Sequence, residues 1–416
     1  MAKTKVDTNT AWSNIFERYK LLHQIRRNGY VDLSADAIKE VDGKEARLMT
    51  KVDFRENLPT IMRDEGLSIL AIKNGLYRIA KNDPFIDIEE RISSPIIELP
   101  SPTTLCTIDP FNIKSESAAL DLAFISGMCA EVFQEESFLS VRGRLRGELE
   151  FSLGDTPYSV DGVQIEVDGG YEGKDALHLV EAKIGFRNNI NIRQLLYPQL
   201  YWQKQLQKKK KVQSYIFYLQ NDIFRFIPYI YDGTVGYADH AHQKVFRFKD
   251  QTRDFSLYDI AIDQSKIDTS IPFPQADKFD KIQDMLFLIA KRGSLTKEEL
   301  HGEFDLVTRQ IDYYLNVLKW LKLSTEENAE ITLSTEGQIL SALPFKQRIE
   351  ALATRVFAEP ICHALLHKQT LPKERFEVYK VYSPSTQQRR VRTITAWINY
   401  FKEFSQQRNL FTIHSS

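Results

Sequence analysis

The sequence predicts a mixed α/β (α+β) protein, with a central sheet flanked by helices and a mainly helical C-terminal region. Three observations carry this. A helical segment at roughly 114–135 is followed by three stretches of alternating polarity, "FLSVRGRLRGELEFSL" (138–153), "YSVDGVQIEVDG" (158–169) and "ALHLVEAKIG" (176–185). Helical character returns at 189–211, with a bend expected at Pro198 because proline removes a backbone hydrogen bond, and strands follow at 214–220 and 224–231. Beyond the prolines of "SIPFPQADKFD" (270–280) the pattern becomes three helices and a short strand pair.

At 416 residues the chain exceeds one ordinary core, so several domains are expected. Near the N-terminus, Trp12, Ile15, Phe16, Tyr19 and Leu22 recur at helical spacing, and Gly29 follows as a stop. Residues 67–82 read as a hairpin turning at Asn74-Gly75, and the proline-bearing 92–105 as a connector. The divisions are then an N-terminal α/β region (1–105), which either contributes to DNA recognition or packs on the core; a central core (106–272); a winged helix-turn-helix-like segment (273–343); and a basic, helical, helix-turn-helix-like segment (344–416).

Composition narrows the function classes. Hydrophobic residues make up 43% and charged residues 27%, as in a soluble globular protein. Cys106, Cys129 and Cys362 are scattered, which fits a reducing cytoplasm and suggests neither a disulfide framework nor a zinc site. No uncharged apolar run of about 18 residues occurs, so neither secretion nor a membrane span is expected. The net charge of -1 hides an asymmetry: residues 344–416 hold 12 Lys plus Arg against 5 Asp plus Glu, an excess of +7 that would draw a polyanion. Within it, "SPSTQQRRVRTITAWINYF" (383–401) places Arg389, Arg390 and Arg392 at the front of a helix capped by Ser383 or Ser385, with Ile394, Trp397 and Ile398 facing inward. These arginines are the candidate DNA-binding residues, and a basic surface helix is the competing reading.

Chemistry concentrates in "VQIEVDGGYE" (163–172) and "LHLVEAKIG" (177–185). On a regular strand Gln164, Glu166 and Asp168 share one face, and Glu181 and Lys183 share one on the next. If the two strands pair with that face in common, three carboxylates and an ammonium gather, and a divalent cation such as Mg²⁺ relieves the crowding. A metal there, with a lysine to orient or deprotonate water, suits hydrolysis of a phosphodiester.

Asp168, a gap of twelve residues and Glu181-Ala182-Lys183 are similar to the signature of the PD-(D/E)XK nuclease superfamily. The order of "RGRLRGELEFSL", "VDGVQIEVDGGYE", "LVEAKIG" and "IRQLLYPQLYW" resembles a group of type II restriction endonucleases within it. "WSNIFERY", "EARLMTKVDFRENLP" and "STQQRRVRTITAWINYF" resemble the flanking regions of that group, so the likeness spans most of the chain. Val167 stands where the signature has proline. The resemblance implies a PD-(D/E)XK core and a bacterial or archaeal cytoplasmic enzyme that cuts double-stranded DNA to leave 5′-phosphate ends. It also implies Mg²⁺, with Mn²⁺ as a substitute, a homodimer, and a cognate DNA methyltransferase in the same system. Asp168 and Glu181 would bind metal, and Lys183 would activate water. Glu166 is an additional acid able to replace or assist Asp168, which is favoured because it sits just before a Gly169-Gly170 turn. Gln194 on the crossover helix supports the lysine or a phosphate, or makes a helix–helix contact. Further candidates are Glu116 or Glu131 for the metal shell, with an exposed helical acid as the competing reading, Lys204 and Lys208 to Lys211 for phosphates, against a solvated helix end, and Arg142, Arg144 and Arg146 on a strand facing DNA, against a solvent-exposed sheet face. Rival functions are a repair, recombination or mobile-element nuclease, and a non-catalytic DNA-binding regulator.

Overall fold

The computed structural model describes residues 7–405, apart from 89–93, 103–104, 111–112, 114, 186–187, 250–254, 264–270, 305, 307 and 382. Two compact units emerge, one of residues 1–105 and 114–249, the other of 106–113 and 250–416. The N-terminal region and most of the expected core therefore lie together in the first unit, and both C-terminal segments in the second.

The first unit begins with α1 (Thr8–Arg18), α2 (Leu21–Asn28), β1 (Tyr30–Ser34), α3 (Ala35–Asp42), α4 (Ala46–Met49) and α5 (Thr60–Asp64). The single helix expected over 10–28 is two, because Lys20 adopts a left-handed φ of 50° between them; Gly29 ends the second at φ 82° as its spacing implied. β2 (Ser68–Lys73) and β3 (Leu76–Ala80) form the expected hairpin. β4 (Phe85–Asp87) and β5 (Ile96–Pro100) follow, and β5 corrects the connector reading by pairing in parallel with a later strand. The helix expected over 114–135 is α6 (Glu116–Ile125) and α7 (Met128–Phe133), interrupted at Gly127, φ 84°. Then come β6 (Ser137–Leu153), β7 (Thr156–Gly173), β8 (Ala176–Ile184), β9 (Asn189–Asn191), α8 (Arg193–Leu206), β10 (Lys211–Gln220), β11 (Ile223–Tyr231), β12 (Gly236–Ala238) and β13 (Lys244–Lys249). Pro198 lies inside α8, as expected.

A large mixed sheet flanked by helices results, in the order β1-β3-β2-β7-β8-β10-β11-β13-β5, with β6 paired to β7 and β12 to β11. β8 runs antiparallel to β7 and parallel to β10, and α8 makes the crossover between the parallel pair. Alternate residues of the central strands feed two layers. Ile216 and Ile227 pack with Leu195 and Leu196 of α8. Tyr215 and Phe226 pack against Phe133 of α7, which also stacks on His178. Covered on both sides, β8 is buried over eight of its nine residues, which suits the run Ala-Leu-His-Leu-Val.

One irregularity in the sheet matters for function. Val167 packs with Leu177 and Leu179 beneath Trp202 and Leu206, on the α8 side. Tyr171, four residues on, lies opposite His178 and stacks on Phe124 of α6, on the other side. Residues of equal parity thus face opposite layers, so alternation inverts between them. The pairing with β6 slips at that point: Gly143 opposes Val167 and Val141 opposes Gly170, leaving three steps on β7 against two on β6, the signature of a β-bulge at Asp168-Gly169. The expected Gly169-Gly170 turn is therefore incorrect. Both glycines stay within β7, where a Cβ on Gly170 would meet Val141 Cβ at 2.7 Å, and the chain reverses only after Gly173.

The second unit contains α9 (Phe279–Arg292), β14 (Ser294–Leu295), α10 (Lys297–Glu303), α11 (Thr308–Trp320), β15 (Ser324–Glu327), β16 (Glu330–Leu333), α12 (Thr335–Ala342), α13 (Phe345–Phe357), α14 (Pro360–Leu366), α15 (Lys373–Val378) and α16 (Pro384–Lys402). Its strands order as β14-β16-β15. Ser383 caps α16, and Ile394, Trp397 and Ile398 are buried as their spacing requires. Trp397 donates to the carbonyl of Ala276 at 2.9 Å, so the last long helix is locked into the unit's core. Of the proline-bearing stretch 270–280, Ser270 lies outside the described residues.

The bulge makes a testable demand on packing. Gly170→Ala is expected to lower stability by about 1–3 kcal/mol, the usual cost of overpacking, read as an earlier midpoint in urea denaturation with an unchanged slope.

Candidate active site

Glu181 and Lys183 lie on β8 and are only 6% and 8% exposed. Lys183 Nζ donates to Glu181 Oε1 at 2.5 Å and to the Ala182 carbonyl at 2.9 Å. Gln194, near the start of α8, donates from Nε2 to the same Glu181 Oε1 at 2.5 Å. Its own Oε1 is buried and meets no hydrogen-bond partner among the described residues. A buried amide oxygen left without any partner costs about 1–3 kcal/mol, so this atom is suited to accept from a further donor.

Asp168 reaches the cluster because of the bulge. The ladder between β7 and β8 covers Gly169 to Glu172 and stops there; beyond it the Asp168 carboxylate accepts the Ala182 N–H through Oδ2 at 2.9 Å. A side chain thus takes the place of a backbone partner, and Asp168 is fixed beside the Glu181-Ala182-Lys183 segment. Arg142 of β6 holds the bulge from behind, donating to the Asp168 carbonyl at 2.9 Å and to Asp121 of α6 at 2.8 Å. The sequence offered Arg142 as a DNA-facing residue or as part of a solvated sheet face; its place opposite the paired glycines was the signal for this bracing role.

The charge balance is unequal. Burial pushes the Glu181 carboxyl up to about 8 against the pull of Lys183, and nearby Asp168 and Glu116 push it the same way. Burial disfavours the charged form of Lys183, yet Glu181, Glu116 and Asp168 hold its ammonium above the usual lysine range. Three acids therefore act on one cation. Glu116, in the first turn of α6, is within electrostatic reach of both residues, whereas Glu131 pairs with Lys244 at 2.7 Å.

Not every expected member arrives. Glu166 borders the small crevice that Glu181 and Gln194 line, but it is exposed and directs its carboxylate to Arg144 at 3.3 Å. The regular alternation that grouped it with Asp168, Glu181 and Lys183 ends at the bulge. Lys204 and Lys210 are held by Glu148 and Glu172 at 3.5 and 2.6 Å. Arg389, Arg390 and Arg392 belong to the second unit.

Among the described residues, no three His, Cys, Asp or Glu side chains form a ready-made cage for a metal ion. Mg²⁺ does not require one: it is bound through one or two carboxylates and retains waters. Were Mg²⁺ bound here, Asp168 and Glu181 would be the hard oxygen donors, with the Gln194 Oε1 as a further oxygen and the acids acting on Lys183 as the attraction.

The buried pair leads to a pH-dependent prediction. Lys183→Met removes the cation that opposes the upward shift of Glu181. At about pH 5.5 the carboxyl is neutral in parent and variant alike, and the loss is about 1 kcal/mol of hydrogen bonding. The raised pKa means that stability falls as pH rises through it, and it falls further where the cation is gone. At about pH 9 the cost should therefore approach 3 kcal/mol. Urea unfolding in EDTA at both pH values measures the difference; an equal cost at both would show that Glu181 and Lys183 are not coupled.

Three family models match the chain, each described as a domain of unknown function: DUF6996 over residues 9–79, DUF6997 over 80–249 and DUF7226 over 281–406. The second of these ranges contains Asp168, Glu181, Lys183 and Gln194 together. Neither a curated protein nor a solved structure matches the chain.

Proposed function

We propose that the protein is a Mg²⁺-dependent, sequence-specific endonuclease of double-stranded DNA, of type II restriction kind with a PD-(D/E)XK core. The observation that carries this reading is the buried Glu181–Lys183 pair with Asp168 folded against it and Gln194 holding it from α8. A structural role would be served better by apolar residues in a strand covered on both faces, because a buried ion pair is often no more stabilising than the hydrophobic side chains it displaces. Keeping acids, lysine and amide there is explained by chemistry.

Asp168 and Glu181 would hold the metal, which when bound polarises the phosphate and lowers the pKa of water. Lys183 Nζ, kept protonated by the surrounding acids, orients the attacking water and offsets charge developing on the phosphoryl oxygens. Gln194 Nε2 fixes Glu181, and its free Oε1 is available to a water or to the metal shell. Arg142 maintains the bulge and thereby the position of Asp168. Glu166 is left to the rim, beside Arg144 and facing solvent. Attack in line on phosphorus leaves a 5′-phosphate and a 3′-hydroxyl. One centre cuts one strand, so symmetric duplex cleavage calls for a homodimer on a palindromic site and for a methyltransferase protecting that site in the same cytoplasm.

No helix among the described residues is long and apolar enough to cross a membrane. Unmethylated phage or plasmid DNA with Mg²⁺ should give discrete fragments with 5′-phosphate ends, and EDTA should stop the reaction. Asp168→Asn and Lys183→Ala should each lower the rate by at least about 10²- to 10³-fold while Glu166→Gln has a much smaller effect. Diffuse nicking would favour a repair, recombination or mobile-element nuclease, and no cleavage of any unmethylated DNA would favour a DNA-binding regulator.

A further inference from the structure

The second unit segregates its charge. The β15–β16 hairpin is acidic at its tip: Glu327 and Glu330 are exposed and face each other across the two strands. Glu326 on the same hairpin is occupied by Lys319 at 2.5 Å and Lys297 at 3.4 Å, so the nearest lysines are neutralised as well. Asp312 takes the other side of Lys297 at 2.9 Å. Two unpaired acids at a hairpin tip repel a phosphate backbone.

Cations collect elsewhere. The rings of Trp320 on α11 and Trp397 on α16 lie 6.3 Å apart. Seven residues earlier on each helix stand Tyr313 and Arg390, which are again within electrostatic reach of each other. These two approaches, seven residues apart on each helix, place the front of α11 near the front of α16. Arg309 lies one turn before Tyr313, with its guanidinium 5.6 Å over the tyrosine ring and its Nε donating to the hydroxyl at 2.5 Å. Arg389 and Arg392 are exposed beside Arg390. Among the described residues none of these four arginines forms an ion pair with a carboxylate, and Arg390 Nε is buried without a hydrogen-bond partner. Burial and the adjacent Arg389 both disfavour the charge on Arg390. Arg309 commits its Nε to Tyr313, and Arg389 gives one nitrogen to Thr386 Oγ1 at 3.3 Å. No carboxylate among the described residues neutralises any of the four, so their charge stays available to a polyanion.

We propose that this unit binds the phosphate backbone of duplex DNA through the arginine ends of α11 and α16, with Arg309, Arg389 and Arg390 as phosphate contacts and Arg392 beside them, and that its hairpin wing stays off the DNA. Arg309 extends the candidate set beyond the α16 arginines, and the choice of duplex DNA rests on the endonuclease reading. The arrangement makes the front of α11 and the front of α16 a single surface.

Fluorescence anisotropy of the full chain on a labelled mixed-sequence duplex, in EDTA so that no strand is cut, tests this. Arg309→Ala/Arg389→Ala/Arg390→Ala is expected to weaken binding about 100-fold near physiological salt and to flatten the dependence of log K on log salt by about 3. The Arg→Lys triple variant should keep most of that slope, which separates lost charge from lost fold, and Arg309→Ala alone should lower it by about 1. Glu327→Gln/Glu330→Gln should change the affinity by less than about threefold. An unchanged slope in the alanine variant, a large gain in the glutamine variant, or tighter binding of single strands, RNA or an acidic protein than of duplex would overturn the assignment. Because binding is read without Mg²⁺, intact cleavage by Asp168→Asn would sink the nuclease centre and leave this result standing. Arginine-independent binding by an active nuclease would sink only the surface.

Discussion

Glu181 beside Lys183 inside a strand covered on both faces is the constraint on which the rest of the first unit depends. Two charges removed from water lose hydration that their mutual attraction restores only with good geometry and further hydrogen bonds. The fold supplies those bonds: the Ala182 carbonyl takes a second proton of Lys183, and Gln194 donates to Glu181. Even so the account does not balance, because Glu116 and Asp168 add negative potential without a second cation. That imbalance is what the proposed metal would relieve.

Asp168 shows how the backbone is bent to that end. Had β7 stayed regular, the residue pairing across from Glu181 would have used its backbone in the ladder. The extra residue at Asp168-Gly169 ends the ladder there and lets the side chain reach the Ala182 amide. The bulge is tolerated because Gly170 permits Val141 to approach and because Arg142 ties the Asp168 carbonyl to α6. Bulges recur beside active sites for this reason: they re-aim one side chain without disturbing the strands on either side.

Much of the fold was legible in the sequence because period-2 and period-3.6 patterns report burial, and burial decides element type. The strands β6, β7, β8, β10 and β11, the helix α8 and the inward face of α16 all follow from it. Patterns fail where a single residue breaks the period. Lys20 and Gly127 each divide a helix through a positive φ that the apolar spacing does not register. The bulge inverts the faces of β7 within one residue, so Glu166 was grouped with the site by an alternation that stops short of it. Paired glycines inside a strand pattern were read as a turn, although close backbone approach is the alternative meaning of glycine there. Asp168, Glu181 and Lys183 were legible as a set; Gln194 was open between two roles, and its two hydrogen-bonding groups now separate, one committed to Glu181 and the other without a partner.

Net charge is a poor guide to partners in such a chain. At -1 overall, long-range attraction to DNA cannot come from the molecule as a whole, and with screening over about 10 Å at ordinary ionic strength only local groupings act. The second unit makes its grouping by sorting: lysines near the hairpin are spent on Glu326 and Asp312, while the arginines of α11 and α16 are kept clear of carboxylates. Sorting by residue type has a physical basis. A lysine is a compact, strongly hydrated point charge well suited to a surface ion pair, whereas an arginine presents a planar fork that matches two phosphate oxygens at once and stacks on a ring, as Arg309 does on Tyr313. The excess of +7 over residues 344–416 is therefore less informative than the position of three of its arginines on one turn of α16, where Arg390 comes within electrostatic reach of Tyr313.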